Sequence, residues 1–243
     1  MFEATIEDIA TMRSSLEPLN KIIYTVTIKV LSDKFHMLAD SDAKHVGVEW
    51  ILERLAFSEY RFDKEVEMTF DLPKLMEVLK RLEGKVKIKT DGNRAWFSDE
   101  FRIFNLGLIA EKEASLFEMV KIDWESKTDI VTKSLKQFVD DTLLFGDTVT
   151  FIADFGKFGV NSRNDESYGN SKAEIPKGDI LLTNLTNKKV QSTFGTDYIK
   201  PFLDSGISNV ITVNLSQDSP LKIEMKTDKV KLSAIICPRV AED

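Results

Sequence analysis

With 243 residues, 42% of them apolar and 30% charged, the chain can bury one large core or two smaller ones, and it is too apolar to read as disordered. Its net charge of −7 argues against a protein that coats nucleic acid with a uniformly basic surface, although a local basic lining on an acidic body stays open. Apolar runs such as Ala234–Cys237 fall far short of the roughly 20 residues that cross a bilayer, the acidic start Met1–Asp8 lacks the pattern of a secretory leader, and one cysteine, Cys237, cannot form a disulfide within the chain, which suits a reducing compartment.

Ile6, Ile9, Met12, Leu16 and Leu19 recur at steps of three and four and predict a first helix. Val26–Met37 then alternates apolar and polar residues on both sides of a short turn, as a hairpin with one face on a core does. After a loop at Asp40–Val46, a second helix is predicted from Asp71: this residue can cap it, Pro73 suits its first turn, Leu72, Leu75, Met76 and Leu79 form its apolar stripe, and Gly84 lies near its end. Val86–Lys89 reads as a strand. The charged, sparsely apolar segment Ile109–Ile122 is expected to be an exposed connector carrying Leu116, Phe117 and Met119 partly exposed; a short helix packing those three on a domain is the alternative.

Beyond it, Ile130, Leu135, Val139 and Leu143 predict a third helix, and Val149–Val160 a second hairpin with Gly156 and Gly159 as turn residues. The run Asn161–Asn170 reads as a long loop. Thr196–Leu203 predicts a fourth helix ending near Gly206, followed by a strand at Val210–Val213. Pro18 and Pro201 fall in helical stretches and are expected to kink or shorten them.

The two halves match each other. Val26–Met37 aligns with Val149–Val160 at a constant offset of 123 (149 minus 26), with Val-Thr and Lys-Phe coinciding, and Leu75 and Leu79 align with Ile199 and Leu203 at an offset of 124 (199 minus 75). The predicted architecture is therefore α+β: two copies of a helix, hairpin, helix, hairpin unit with antiparallel sheets, at residues 1–107 and 124–243, joined by a connector at 108–123.

Several fragments carry a family resemblance: Phe2-Glu3-Ala4, the loop Asp40-Ser41-Asp42-Ala43-Lys44-His45-Val46, Phe57-Ser58-Glu59-Tyr60, Leu79-Lys80-Arg81, Phe101-Arg102-Ile103, Asp218-Ser219-Pro220-Leu221 and the terminal Cys237-Pro238-Arg239-Val240. In this order, and through the whole chain, they resemble the archaeal and eukaryotic sliding clamps of the proliferating cell nuclear antigen family. The resemblance implies a subunit of a trimeric ring, of identical or related chains, with sheets outside and helices lining a hole for double-stranded DNA held without regard to sequence. It implies partners that dock by short motifs, namely DNA polymerase, clamp loader, flap nuclease and DNA ligase, and it implies no membrane, no cofactor and no catalysis. The expected place is the cytoplasm, with the nucleoid, in an archaeon, or the nucleus in a eukaryote.

Carried over by position, the DNA-facing candidates are Arg13 and Lys21 on the first helix, Lys74, Lys80 and Arg81 on the second, Lys127, Lys133 and Lys136 on the third and Lys200 on the fourth. Carboxylates on the same helices, among them Glu17, Glu77, Asp140 and Asp204, make this lining less basic than the family pattern. The partner pocket would use Leu38, Ala39, Val46, Val48, Leu116, Phe117, Met119, Pro220, Ile235, Ile236, Cys237 and Pro238. Subunits would meet through two edge strands, with Phe101, Ile103 and Phe104 on one and Tyr168, Ala173 and Ile175 on the other. A checkpoint-type or viral clamp relative, or a non-encircling binding module of the same fold, are the alternatives.

Enzyme chemistry finds little support. His36 and His45 lie near Asp33, Asp40 and Asp42, but the first sits on the polar face of a hairpin and the second in a turn. A phosphate-binding loop, a paired-cysteine motif and a nucleophile elbow are all missing from the sequence.

Overall fold

The computed structural model describes residues 2–110, 122–162, 169–185 and 188–239, with the backbone alone for 183–185. These fall into two compact units, residues 1–119 with 226–232, and residues 120–225 with 233–243. The assignment of 226–232 to the first unit departs from a simple division at the connector. Its cause is a run of bonds to the first unit: Glu53 donates its N–H to the Lys229 carbonyl at 2.8 Å, and the Lys231 ammonium lies 3.5 Å from the Glu49 carboxylate.

In the first unit β1 (Phe2–Ile6) leads into α1 (Ile9–Leu16), then β2 (Thr25–Val30), β3 (Lys34–Asp40), β4 (Val46–Glu53), β5 (Phe57–Arg61), β6 (Val66–Asp71), α2 (Leu72–Leu79), β7 (Val86–Thr90), β8 (Arg94–Ser98) and β9 (Ile103–Gly107). The second has β10 (Ser126–Val131), α3 (Thr132–Thr142), β11 (Thr148–Asp154), β12 (Lys157–Ser162), β13 (Lys172–Glu174), β14 (Ile180–Leu185), β15 (Val190–Gly195), α4 (Thr196–Asp204), β16 (Val210–Leu215) and β17 (Leu221–Lys226). Residues of the last strand, β18 (Val230–Ile236), are divided between the units.

Pairing is antiparallel and follows one plan twice. The first unit has the orders β5-β1-β7-β8-β9 and β4-β3-β2-β6; the second has β14-β10-β16-β17 and β13-β12-β11-β15. Single bonds repeat as well. The Thr27 and Thr69 hydroxyls meet at 2.9 Å in the first copy, Thr150 and Thr193 at 2.8 Å in the second. Leu72 donates its N–H to the Tyr24 carbonyl and Thr196 to that of Asp147, tying each second helix to the residue just before the hairpin.

Alternation makes the sheets. Val26, Ile28 and Val30 on β2, like Val149, Phe151 and Ala153 on β11, are buried while their neighbours face out. The helices of the first unit start where side chains cap them: Asp8 accepts from the Ala10 N–H, and Asp71 accepts from that of Lys74 at 2.8 Å. Gly206, one residue past the cap of α4, takes φ +65, which its lack of a Cβ permits.

Three expectations are corrected. Ile6 ends β1 and Ile130 is the last residue but one of β10, and neither starts a helix; both are buried, so the apolar pattern carries across the junction. Pro18 lies beyond α1, whereas Pro201 sits inside α4, which continues to Asp204 although this residue has no N–H to donate. Gly156 is a turn residue with φ +84, but Gly159 is an interior residue of β12, opposite Ile152 on β11 and Glu174 on β13.

Candidate functional site

In each unit the two helices touch each other, α1 with α2 and α3 with α4. Eight of the nine candidate cations lie on or next to these helices; Lys127 instead stands on β10, opposite Asn184 and Asn214, because the third helix opens only at Thr132. Four are tied to carboxylates. Lys74 pairs with Glu77 at 2.7 Å, and Lys80 reaches Glu17 at 3.0 Å, linking α2 to the end of α1. Lys136 meets Asp204, and Lys200 meets both Asp140 and Asp204, so α3 and α4 are cross-linked in both directions. The Asp140 hydrogen bond holds the Lys200 ammonium above the ordinary lysine range. Burial pulls the Asp204 carboxyl up, yet the bond from Lys136 and the charge of Lys200 outweigh it and leave it lowered.

Arg13, Lys21, Arg81, Lys127 and Lys133 have no carboxylate within 4.0 Å among the described residues. The guanidinium of Arg102 donates to the Arg81 carbonyl and so braces the end of α2. The helical faces thus present two kinds of cation: those already neutralised and those available to an anionic ligand.

The candidate partner residues are distributed by strand alternation. In the first unit Leu38 is half-buried on the outer face of β3, whereas Ala39, Val46 and Val48 are buried in the core, Ala39 directly opposite Val48. In the second, Ile236 is fully buried and Ile235 nearly so, while Pro220 and Pro238 are half-buried and Cys237 is exposed. The expectation that Ala39, Val46, Val48 and Ile236 offer side chains to a partner is therefore corrected: they are core residues. Leu116, Phe117 and Met119 lie outside the described residues.

Two local devices shape the remaining surface. Ser41 Oγ accepts from the N–H groups of His45 and Val46, both at 3.1 Å, closing the loop after β3, in which Lys44 takes φ 58. At the other end, Arg239 donates its N–H to the Thr193 carbonyl and its guanidinium to Asp147, each at 2.8 Å, which holds residues 237–239 beside β15. The Asp147 carboxyl is lowered chiefly by that bond from Arg239.

The two candidate edge strands each end a sheet. β9 pairs with β8 alone and carries Ile103, 74% exposed, with Phe101 just before it at 82% and Phe104 half-buried. β13 pairs with β12 alone; Ala173 is half-buried there. Ile175 is 1% exposed, and its N–H donates to the Phe158 carbonyl, so its side chain belongs to the core and is corrected as a contact residue. Tyr168 lies outside the described residues.

The histidines hold no catalytic cluster. His36 Nε2 lies 3.2 Å from Glu49, beside Lys231, and among the described residues no group of three or more His, Cys, Asp and Glu side chains is placed to hold a metal ion. No helix among them is long and apolar enough to cross a membrane.

Comparison with known proteins decides the family. The profile of the proliferating cell nuclear antigen N-terminal domain matches residues 1–127, more than half of the chain. The chain belongs to the proliferating cell nuclear antigen family. Its relatives include the DNA polymerase sliding clamp of Methanothermobacter thermautotrophicus, 27% identical over 249 residues and covering 99% of this chain and 98% of that protein. Among solved structures, A. fulgidus PCNA bound to the C-terminal region of FEN-1 matches with a TM-score of 0.90 at 16% identity, with 100% of both chains covered. A chain of the PCNA2–PCNA3 complex from Sulfolobus tokodaii matches with a TM-score of 0.85 at 19% identity over 98% of this chain and 99% of that one. The duplicated α+β clamp fold is thus shared along the whole chain of this family member.

Proposed function

We infer that the chain is a sliding-clamp subunit: it encircles duplex DNA as part of a trimeric ring, tethers replication and repair enzymes to it, and performs no chemistry of its own. The observation that carries this reading is the end-to-end likeness to the Methanothermobacter clamp, in a chain whose family is independently established.

The physical features agree with it. A protein that slides must hold DNA through scattered cations and read no bases, and Arg13, Lys21, Arg81 and Lys133, on or next to the helices, have no carboxylate within 4.0 Å among the described residues. Closure has a template within the chain. In the first unit, residues 226–232 run along the outer side of β4. β13, the strand at β4's place in the second unit, has no such neighbour among the described residues, and β9 ends its own sheet. Pairing β9 of one copy with β13 of the next, with Phe101 and Ile103 covered, hides both edges and propagates head to tail until a ring closes.

Client enzymes, by this reading DNA polymerase, clamp loader, flap nuclease and DNA ligase, dock beside the terminal segment that Arg239 holds. That PCNA of A. fulgidus is bound by the C-terminal region of FEN-1 supports the nuclease among them. In an archaeal cell the protein works in the cytoplasm on the nucleoid. The test is retention: loaded protein stays on circular DNA and leaves when the circle is cut. Equal loss from circular and linear DNA refutes encirclement.

A further inference from the structure

The internal repeat exposes a place where the two copies differ for no reason of folding. His36 on β3 and Gly159 on β12 are equivalent at the offset of 123 (159 minus 36), and both stand in strand interiors on the sheet face turned away from the core. In the first copy this position is filled: His36 meets Glu49, and Lys231 lies next to it. In the second it is empty. Glycine weakens a strand and is usually explained by a bulge, a special backbone angle or steric pressure. None applies here. The β11–β12 register is continuous through Gly159, its φ is outside the left-handed region, and a Cβ would meet nothing closer than the Ala173 carbonyl at 3.4 Å and Ile152 Cβ at 3.7 Å.

What the glycine leaves is a hollow of about 390 Å³ on the outer face of β11, β12 and β13, within the size range of ligand sites. The helix α3 and the buried Phe151, Phe158 and Val160 occupy the other face. Charge on the hollow's rim is unbalanced. Lys157 pairs with Glu174 at 3.1 Å, while Lys172 and Lys189 have no carboxylate within 4.0 Å among the described residues; Asp154 adds a second carboxylate, so the three lysines outnumber the carboxylates by one. Its floor carries unmet acceptors: Asp154 Oδ1 and Asn161 Oδ1 are buried and have no hydrogen-bond donor. Buried acceptors of this kind are costly, and both residues line the hollow.

We propose that this outer face of the second unit is a docking site for an extended acidic peptide segment of a partner protein. Such a segment satisfies both halves of the site: its carboxylates meet Lys172 and Lys189, and its backbone N–H groups supply donors to Asp154 and Asn161. A simple anion answers only the lysines. A basic peptide answers only the acceptors. All the residues involved lie within the second unit; Lys172 and Glu174 belong to β13, the edge invoked for ring closure, whereas Asp154, Gly159, Asn161 and Lys189 do not, so the mass of each variant is checked beside its binding to tell loss of the site from loss of the ring.

The probe is a fluorescein-labelled decapeptide of alternating Glu and Ser, titrated with the full-length protein and followed by anisotropy at low salt. Saturable binding is expected. It should weaken by about tenfold or more in the Lys172→Glu, Lys189→Glu double variant and in Gly159→His, while both keep the parental circular dichroism spectrum and melting temperature. The histidine is known to be compatible with the fold at the equivalent site of the first copy; should Gly159→His still unfold, the lysine variant decides. A Lys-Ser decapeptide should not bind, and millimolar inorganic phosphate should not displace the acidic one. Absence of saturable binding, equal affinity in the double lysine variant, or full displacement by phosphate or by single-stranded DNA each overturns the proposal.

Discussion

Ser15 shows how much one small side chain can organise. Trp50, the largest fully buried side chain, donates its indole N–H to Ser15 Oγ at 2.9 Å, and that hydroxyl in turn donates to the Met12 carbonyl, so a strand of the core is fastened to α1 by a two-bond relay. Removing the hydroxyl leaves a buried donor unmet, which costs about 1–3 kcal/mol. Ser15→Ala should therefore lose stability of that order in urea titration followed by Trp fluorescence, and an unchanged midpoint would show that the relay is idle. Glu3 governs the acid limit in a similar local way. Hydrogen bonds from Lys89 and then Lys87 draw its pKa from 4.5 down to about 2. A carboxyl lowered by folding contributes stability that is complete above about pH 4.5 and is lost as the pH falls toward 2. Glu3→Gln should flatten that part of the stability profile; a profile superimposable on the parent would contradict the assignment.

At the scale of elements, the helices divide the cations into tied and available ones, and this division predicts function. Arg13→Ala and Lys133→Ala should each weaken DNA binding by a similar factor on every sequence and reduce the slope of log affinity against log salt by about one unit. Lys200→Ala should change that slope less, because Asp140 and Asp204 already neutralise the ammonium. A steeper loss for Lys200 than for Lys133 in salt titrations would reverse the division. This part of the site was not legible in the sequence: Lys200 and Asp140 are 60 residues apart, and only the packing of α4 on α3 brings them together. The hairpins were legible to within a few residues at their ends, since the starts of β2 and β3 recur as those of β11 and β12 at the offset of 123, and alternation is a local property. Helix starts were not. Ile6 and Ile130 point into the core from the ends of strands, and the spacing of three from Ile6 to buried Ile9 imitates a helical period. For the same reason Ile175, Ala39 and Val48 read as surface candidates: sequence position placed them at the right strand, and only burial shows which face each takes. In the sequence Gly159 stands opposite His36 in the repeat, but a glycine so near a turn reads as part of it.

The whole molecule is a plan executed twice, down to paired threonine hydroxyls, with its two copies made unequal at their edges. That inequality is what the clamp reading uses: one open edge at β9 and one at β13, with 82% of Phe101 and 74% of Ile103 exposed beside the former. Burying a side chain of that size is worth about 1.5–3 kcal/mol, so Ile103→Glu, which places a charge in the contact, should convert the assembly to single chains in solution while the melting transition of each chain persists. The most direct measurement of the central claim is the mass of the native protein by light scattering at micromolar concentration, alone and with any related subunit, followed by retention on circular and linearised DNA after loading. The account predicts three chains per particle and release only on linearisation. A particle of one chain under every condition, or equal retention on linear and circular DNA, would contradict it.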